Sequence, residues 1–532
     1  MAIDLKQTAI DPDNPEVPPT RNTREALRDA LDDIQGNILK SHGRDHSRHL
    51  FITFKTDTAE QRKQAREWLA ELVEEELVTS ALQQWDEAKS YRDMQATLRA
   101  NGAISVADHR ALLESASEPF VGVMLSSAAY RDLKLGDDST PDDPSFIAGA
   151  KARADFLNDP PAKDWEEKFQ ATLHALVIVA DDVEERLEGL VKDLKLELAE
   201  LGVVPAEETG AAMRLNAKGE EDPSAPVREH FGFVDGISQP LFFARDIGEA
   251  RTRQGGIDEY DPSAPLDQVL VPDPGGDDDT AYGSYFVYRK LEQDVQGFRE
   301  DEKALAAEIA RFARPKSSEV LPEDVALAGA YMVGRFQDGT PVVDREVAGL
   351  GDLPNNFSYD ADVDGVRCPF TAHVRKTNPR GDKQRQFGTP LTQERAQRIA
   401  RRGISFGKVT LKPGRDDKVG LLFLCAQSSI ADQFEFIQAA WSNNEVFLRG
   451  GSGLDPVIGT LKDGKKREEA VEQRWPKQYG ARNELDFSRF PPPVVDFFFK
   501  KRVGQWTFMR GGEYFFVPSL SALKAFGELV EA

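Results

Sequence analysis

In FGFVDGISQP (Phe231–Pro240) a single carboxylate, Asp235, follows an aromatic run and stands between Gly232 and Gly236. An acid at such a bend has two uses. It can close a turn, or it can be delivered into a pocket as an acid–base group that takes a proton and returns it. The second residue of interest is His373, in CPFTAHVRKTNPR. The run has strand character, which places His373 and Arg375 on one face, and Asn378-Pro379 ends it with turn chemistry. Arginines recur in ERAQRIARRGISFG (Glu394–Gly407), where the plain expectation is a solvated basic helix stopped at Gly403.

An imidazole beside guanidinium groups suits a ligand that is both metallic and anionic. A haem is such a ligand, with iron for the imidazole and propionates for the arginines; the alternative is an ordinary strand histidine. The other histidines carry less. His42, His46 and His49 lie in SHGRDHSRHL with no cysteine or acid at ligand spacing, so a polar turn running into a strand is expected there. His109 has no chemical context, His174 opens an apolar strand, and His230 either lines a pocket or caps a strand end. GGSGLDPVIG (Gly450–Gly459) has no GK[ST] after it, which excludes a phosphate loop, and no GxSxG or HExxH with supporting context is present. The acidic runs Glu74–Glu76 and Asp277–Asp279 read as solvated surface.

The elements that must position these groups follow from periodicity. HLFITF, PFVGVMLS and HALVIVA read as strands, Ala59–Leu77 and Val183–Leu201 as amphipathic helices, and HFGFVDG as a fourth strand. Strand–helix–strand repeated twice is the plan of an α+β ferredoxin-like sandwich. After a Gly-, Pro- and Asp-rich stretch the plan restarts with SYFVYRKL and the helical Glu300–Ala313. GLLFLCAQ and DFFFKKR (Asp496–Arg502) supply further strands, and Ala431–Trp441 a helix. The expected organisation is a flexible arm over 1–27, a ferredoxin-like domain over 28–250, a linker or surface loop over 251–283 and a second ferredoxin-like domain over 284–532.

A chain of 532 residues with net charge −24 is large enough for two domains and ill suited to nucleic acid, whose phosphates it would repel. Two isolated cysteines, Cys368 and Cys425, make no disulfide framework and no zinc pattern. The N-terminus lacks the pattern of a signal peptide, and no apolar run reaches membrane-spanning length. A cytoplasmic protein with no membrane partner is expected.

In order along the chain, DIQGNILKSHGR, GFVDG, HVRKTNPR, RRGISFG, GLLFLCAQ, QFEFIQ and GGEYFFVPS resemble the dye-decolourising peroxidases, a haem peroxidase family. The likeness spans roughly residue 30 to 520 and rests on the ordered set, since GxxDG alone is a weak signal. It implies two ferredoxin-like domains of the dimeric α+β barrel type, with one haem b held mainly by the C-terminal one. His373 would be the proximal iron ligand, with Asp235 as distal acid–base and Arg401, rather than Arg402, as charge stabiliser. Glu435 would accept the second ring N–H of His373, and Arg375 or Arg380 would pair with a propionate. Gly232 and Gly236 would give the porphyrin room, and Leu421 and Phe423 would wall its distal side.

The resemblance further implies hydrogen peroxide as oxidant and dyes, phenolics or other organic donors as reductants, in a monomer or small homo-oligomer. Trp441, Trp506 and Tyr514 are candidate relays to surface donors, or core aromatics. A haem carrier or sensor, a cofactor-free hydrolase using Asp235 and His373, and a plain interaction module are the competing readings. Ala81–Glu118, Gly248–Thr280 and Asp463–Leu485 are extra relative to compact members of that family.

Overall fold

The computed structural model describes residues 2–13, 23–100, 108, 111–112, 115, 117–253, 255–276, 280–317, 319–350, 354–462, 471–481 and 497–531. His109, Asp277–Asp279, Asp496 and parts of the three extra stretches lie outside the described residues.

The first half runs β1 (His46–Ile52), α1 (Ala59–Glu74), β2 (Phe120–Ser126), β3 (Ala175–Asp181), α2 (Glu184–Glu200) and β4 (Ala206–Ala211). Its strands lie in the spatial order β4-β1-β3-β2, all antiparallel. The second half repeats the plan with β5 (Tyr282–Gln293), α3 (Val295–Ala313), β7 (Ile404–Phe406), β8 (Gly420–Gln427), a π-helical stretch through Ile430–Glu435 and Ile437–Ser442, and β9 (Thr507–Val517). Its order is β7-β8-β5-β9, with the two-residue β6 (Ala400–Arg401) set beside β8. β9 pairs with β2 and β7 with β4, so the two half-sheets close into one ring of eight strands without a free edge between them.

Local sequence explains the helices. α1 starts at a capping box in which Thr58 and Gln61 satisfy each other's backbone N–H groups. α2 buries Leu187, Val191, Leu194 and Leu198, one per turn, against the sheet. β5 is buried on both faces over Tyr282–Lys290, because one side faces the ring interior and the other is covered. Among the described residues no helix is long and apolar enough to cross a membrane.

Several expectations need correction. HFGFVDG is an irregular turn with one bridge, Arg228 to Val234, and the fourth strand is the polar AEETGA, whose few buried positions gave no apolar signal. CPFTAHVRKTNPR does not form a strand: His373–Thr377 is a helix, α4, so positions 373 and 375 point to different sides. A five-residue helix is too short for its period to show in sequence. The opening arm is docked where it is described, with Ile3 and Ile10 buried and Ile10 bridged to Phe243. The described residues of the 251–283 stretch form a packed strap that buries Ala264, Leu266, Val269 and Leu270. Phe498–Lys501 pairs with Gln473–Pro476 in a small hairpin outside the ring.

Candidate active site

The turn carrying Asp235 is built by Glu229. Its carboxylate accepts the backbone N–H groups of Phe231 (2.8 Å) and Phe233 (3.0 Å), and its own carbonyl accepts that of Gly232 (2.8 Å). Burial pushes the Glu229 carboxyl above its usual range, against the hydrogen bonds from Gln293, Phe231 and Phe233. Gly232 is required here, with φ +89° and a would-be Cβ 2.9 Å from Arg299 Nη2. Gly236 takes φ +78° beside open space. Neither glycine lines the cavity described below, so their expected role of making room for a porphyrin gives way to backbone geometry.

Asp235 leaves this turn with its backbone N–H on Val227 O (2.9 Å) and its Oδ1 accepting Gly236 N–H (2.6 Å). The same oxygen accepts from Arg401 Nη1 at 3.0 Å. β6 supplies Arg401, whose Nη2 also donates to Ile237 O (2.6 Å) and whose backbone N–H donates to Gln239 (3.0 Å). Arg402 points the other way, buried on the carbonyls of Asn37 and Ile38. Strand alternation thus selects Arg401 for the cavity.

His373 opens α4, and its Nδ1 lies 2.8 Å from Asp455 Oδ2. Asp455 is fully buried, and its other oxygen caps the turn by accepting Val457 N–H (2.8 Å) and Ile458 N–H (3.0 Å). Burial alone would raise its carboxyl; His373 and the two N–H groups outweigh that and hold it below the usual carboxylate range. Glu435 does not meet His373. It is tied to Arg153 (2.8 and 2.7 Å), Ser145 (2.9 Å) and Tyr514 OH (3.0 Å), because the π-helical stretch turns it away. The signal for Asp455 was an Asp-Pro inside a glycine-rich loop, which reads as turn chemistry and nothing more.

Arg375 and Arg380 are also displaced from the expected roles. Arg375 is wholly buried between Asp362 (2.9 Å) and Asp382 (2.7 Å), and Arg380 is held by Asn355, Phe357 and Ser238. Neither lines the cavity. Arg335 and Arg398 do, and together with Arg380 they form a group of buried guanidiniums with no salt bridge among the described residues. Arg335 donates to the carbonyls of Gly339 (2.8 Å) and Pro354 (2.7 Å), and Arg398 to that of Ser263 (2.8 Å). Asp344 acts on Arg335 and Arg380 only at longer range. Burial and the neighbouring Arg380 pull Arg335 down to about 9, still protonated at neutral pH. Uncompensated buried cations call for an anion.

Asp235, Arg401, His373, Arg335 and Arg398 line one cavity of about 900 Å³. Leu421 and Phe423, alternate residues of β8, form part of its apolar wall. Trp506 lines it as well, whereas Trp441 is stacked on Phe447 in a separate small core and Tyr514 is buried against Glu435. A large apolar chamber with an imidazole, an acid–arginine pair and unneutralised arginines fits a flat, dianionic, metal-bearing ligand.

Known proteins share this arrangement of chain. The family model described as Dyp-type peroxidase, C-terminal, matches residues 255–448. The multifunctional dye peroxidase DyP2 of Amycolatopsis sp. is 37% identical over 511 residues, covering 93% of this chain and 95% of its own. The dye-decolorizing peroxidase msp1 of Mycetinis scorodonius is 29% identical across 96% of this chain and 91% of its own. Among solved structures, the DyP-type peroxidase AnaPX of Anabaena sp. superposes with a TM-score of 0.79 at 37% identity, over 98% of this chain and 99% of that one.

Proposed function

Because the chain belongs to the DyP-type peroxidase family, whose members are haem-dependent, we propose that it reduces hydrogen peroxide with haem b and oxidises dyes, phenolics or related organic donors. Haem, when bound, supplies the iron that takes peroxide and the ring that holds oxidising equivalents. His373 is the residue to bind the iron, and Arg335 and Arg398 are the cations to face the propionates, backed by Arg380. Asp455 accepts the Nδ1 proton of His373, which orients the ring and makes its other nitrogen the more basic ligand.

Asp235 would take the proton that peroxide must shed and return it to the departing oxygen. Arg401, 3.0 Å from that carboxylate, keeps its charge throughout and stabilises negative charge as it develops on oxygen. Leu421 and Phe423 keep bulk water from the reacting atoms. The division of the chain into two ferredoxin-like units on either side of the 251–283 strap belongs to the same reading.

The observation that carries this reading is the convergence of two pairs, His373–Asp455 and Asp235–Arg401, on one cavity. Purified protein supplied with haem should show a Soret band that changes on mixing with peroxide in stopped flow. His373→Ala should lose the bound iron, and Asp235→Asn should keep the colour while losing most of the peroxide-dependent change. Haem uptake unchanged in His373→Ala, or a wild type that never responds to peroxide, would overturn the proposal.

A further inference from the structure

His373 and Asp455 share their end of the molecule with a third charged group. Lys376 follows His373 by one helical turn on α4, and its backbone N–H closes that turn on Ala372 O at 2.9 Å. Its side chain is wholly buried. The ammonium donates to Asn444 O at 2.7 Å and to Trp441 O at 3.3 Å, and lies 5.8 Å from the centre of the Phe447 ring.

The same short run of chain holds Asp455. Its backbone N–H donates to Ser442 O at 3.0 Å, and Ser442 falls between the two residues whose carbonyls hold Lys376. One residue earlier, Leu454 O accepts from Thr371 Oγ1 at 2.7 Å, which ties the Asp455 loop to the residues leading into α4. Lys376, His373 and Asp455 are therefore fixed to one scaffold, with α4 on one side and Trp441–Asn444 on the other.

Capping two carbonyls does not call for a charge. A neutral amide could donate to them without the cost of burying an ammonium, and Lys376 forms no salt bridge among the described residues. The anions that act on it from a distance are Asp455 and Glu445. Its neighbour on α4, Arg375, is spent on Asp362 and Asp382, and Lys383 sits 4.9 Å from the Trp441 ring. Burial pulls the Lys376 ammonium down to about 7, against the opposing effect of Asp455 and Glu445.

A carboxylate on the ligand's second nitrogen favours the more oxidised iron. A cation near that carboxylate has the reverse effect, and burial leaves it little screened by salt.

We propose that Lys376 is a positioning residue for the iron site, a buried cation that offsets the Asp455 carboxylate and so raises the reduction potential of iron bound by His373. It acts through Asp455, and the proposal rests on the reading of His373 as the iron ligand.

Potentiometric titration of the haem-loaded protein, at a pH well below 7 and again well above it, tests this. Lys376→Met and Lys376→Gln both remove the charge, and the glutamine keeps an N–H for the carbonyls. At the lower pH both should show a lower potential than wild type, opposite in sign to the effect of neutralising Asp455. At the higher pH the gap should close, because the wild-type lysine is then neutral as well. Lys376→Arg keeps its charge at both, so its potential should exceed that of wild type at the higher pH. A packing defect would move the potential alike at both. Equal potentials for wild type and the neutral variants at the lower pH, a gap of the same size at both, or an arginine variant level with wild type at the higher pH would overturn the proposal. His373→Ala is read first. Iron retained there overturns the proposed function and this inference with it, whereas iron lost there with unmoved potentials in the Lys376 variants overturns this inference alone.

Discussion

His373 and Asp455 stand 82 residues apart in sequence and 2.8 Å apart in space, an imidazole nitrogen against a fully buried carboxylate. The carboxylate's second oxygen is anchored on two backbone N–H groups, so it cannot swing away from the ring. Asp455→Asn keeps the turn cap and removes the negative charge. The expected result is retained haem, a higher iron reduction potential and a reaction with peroxide slower by about 10–100-fold. Potentiometric titration with stopped flow measures both, and an unchanged potential would remove Asp455 from the mechanism.

Asp235 and Arg401 share one hydrogen bond, at 3.0 Å. Asp235→Asn should slow the peroxide step by about 10²–10⁴-fold, and Arg401→Leu by about 10²–10³-fold. Because the two groups touch, the double variant should lose less than the product of the single losses. Multiplicative losses in single-turnover kinetics would mean that they act independently.

Glu435 ties Arg153, Ser145 and Tyr514 together and leaves His373 alone. Glu435→Gln should therefore spare the Soret band and the reduction potential. It should cost about 1–3 kcal/mol of stability in urea unfolding, since a buried charged acceptor is lost from three donors. A shifted potential would restore Glu435 as a partner of the iron ligand.

Arg375 and Arg335 should fail differently. Arg375→Met strips the charge from between Asp362 and Asp382, each at most 2% exposed, and should destabilise the fold by about 3–5 kcal/mol. Arg335→Met removes an unneutralised cation from the cavity wall and should weaken haem retention more than it lowers the unfolding midpoint. Haem-release rates and unfolding curves for the two variants separate these outcomes.

Acid stability should depend on His49. Burial pushes its imidazole from 6.5 down to about 3. The folded ring stays neutral where the unfolded one is protonated, so its contribution is complete above pH 6.5 and is lost as pH falls toward 3. The slope is about 1.4 kcal/mol per pH unit for this one group. His49→Leu should flatten the fall of the urea midpoint between pH 6.5 and 4; an unchanged slope would show that other groups dominate.

The sequence by itself determined the repeated strand–helix plan, because each apolar strand and amphipathic helix announces its period locally. It also pointed to His373, Asp235 and Arg401, through the ordered set of motifs that resembles a family, since each alone had an ordinary structural use. It did not determine partners. Glu435 and Asp455 are both lone acids downstream of His373, and only the closing of the ring and the direction of the π-helical stretch decided which one meets the imidazole. Arg375 and Arg380 looked like anion binders, yet burial spent both, while Arg335 gave no local sign of facing the cavity. Hydrogen bonds between residues far apart in the chain depend on how elements pack, and local periodicity carries no record of that packing.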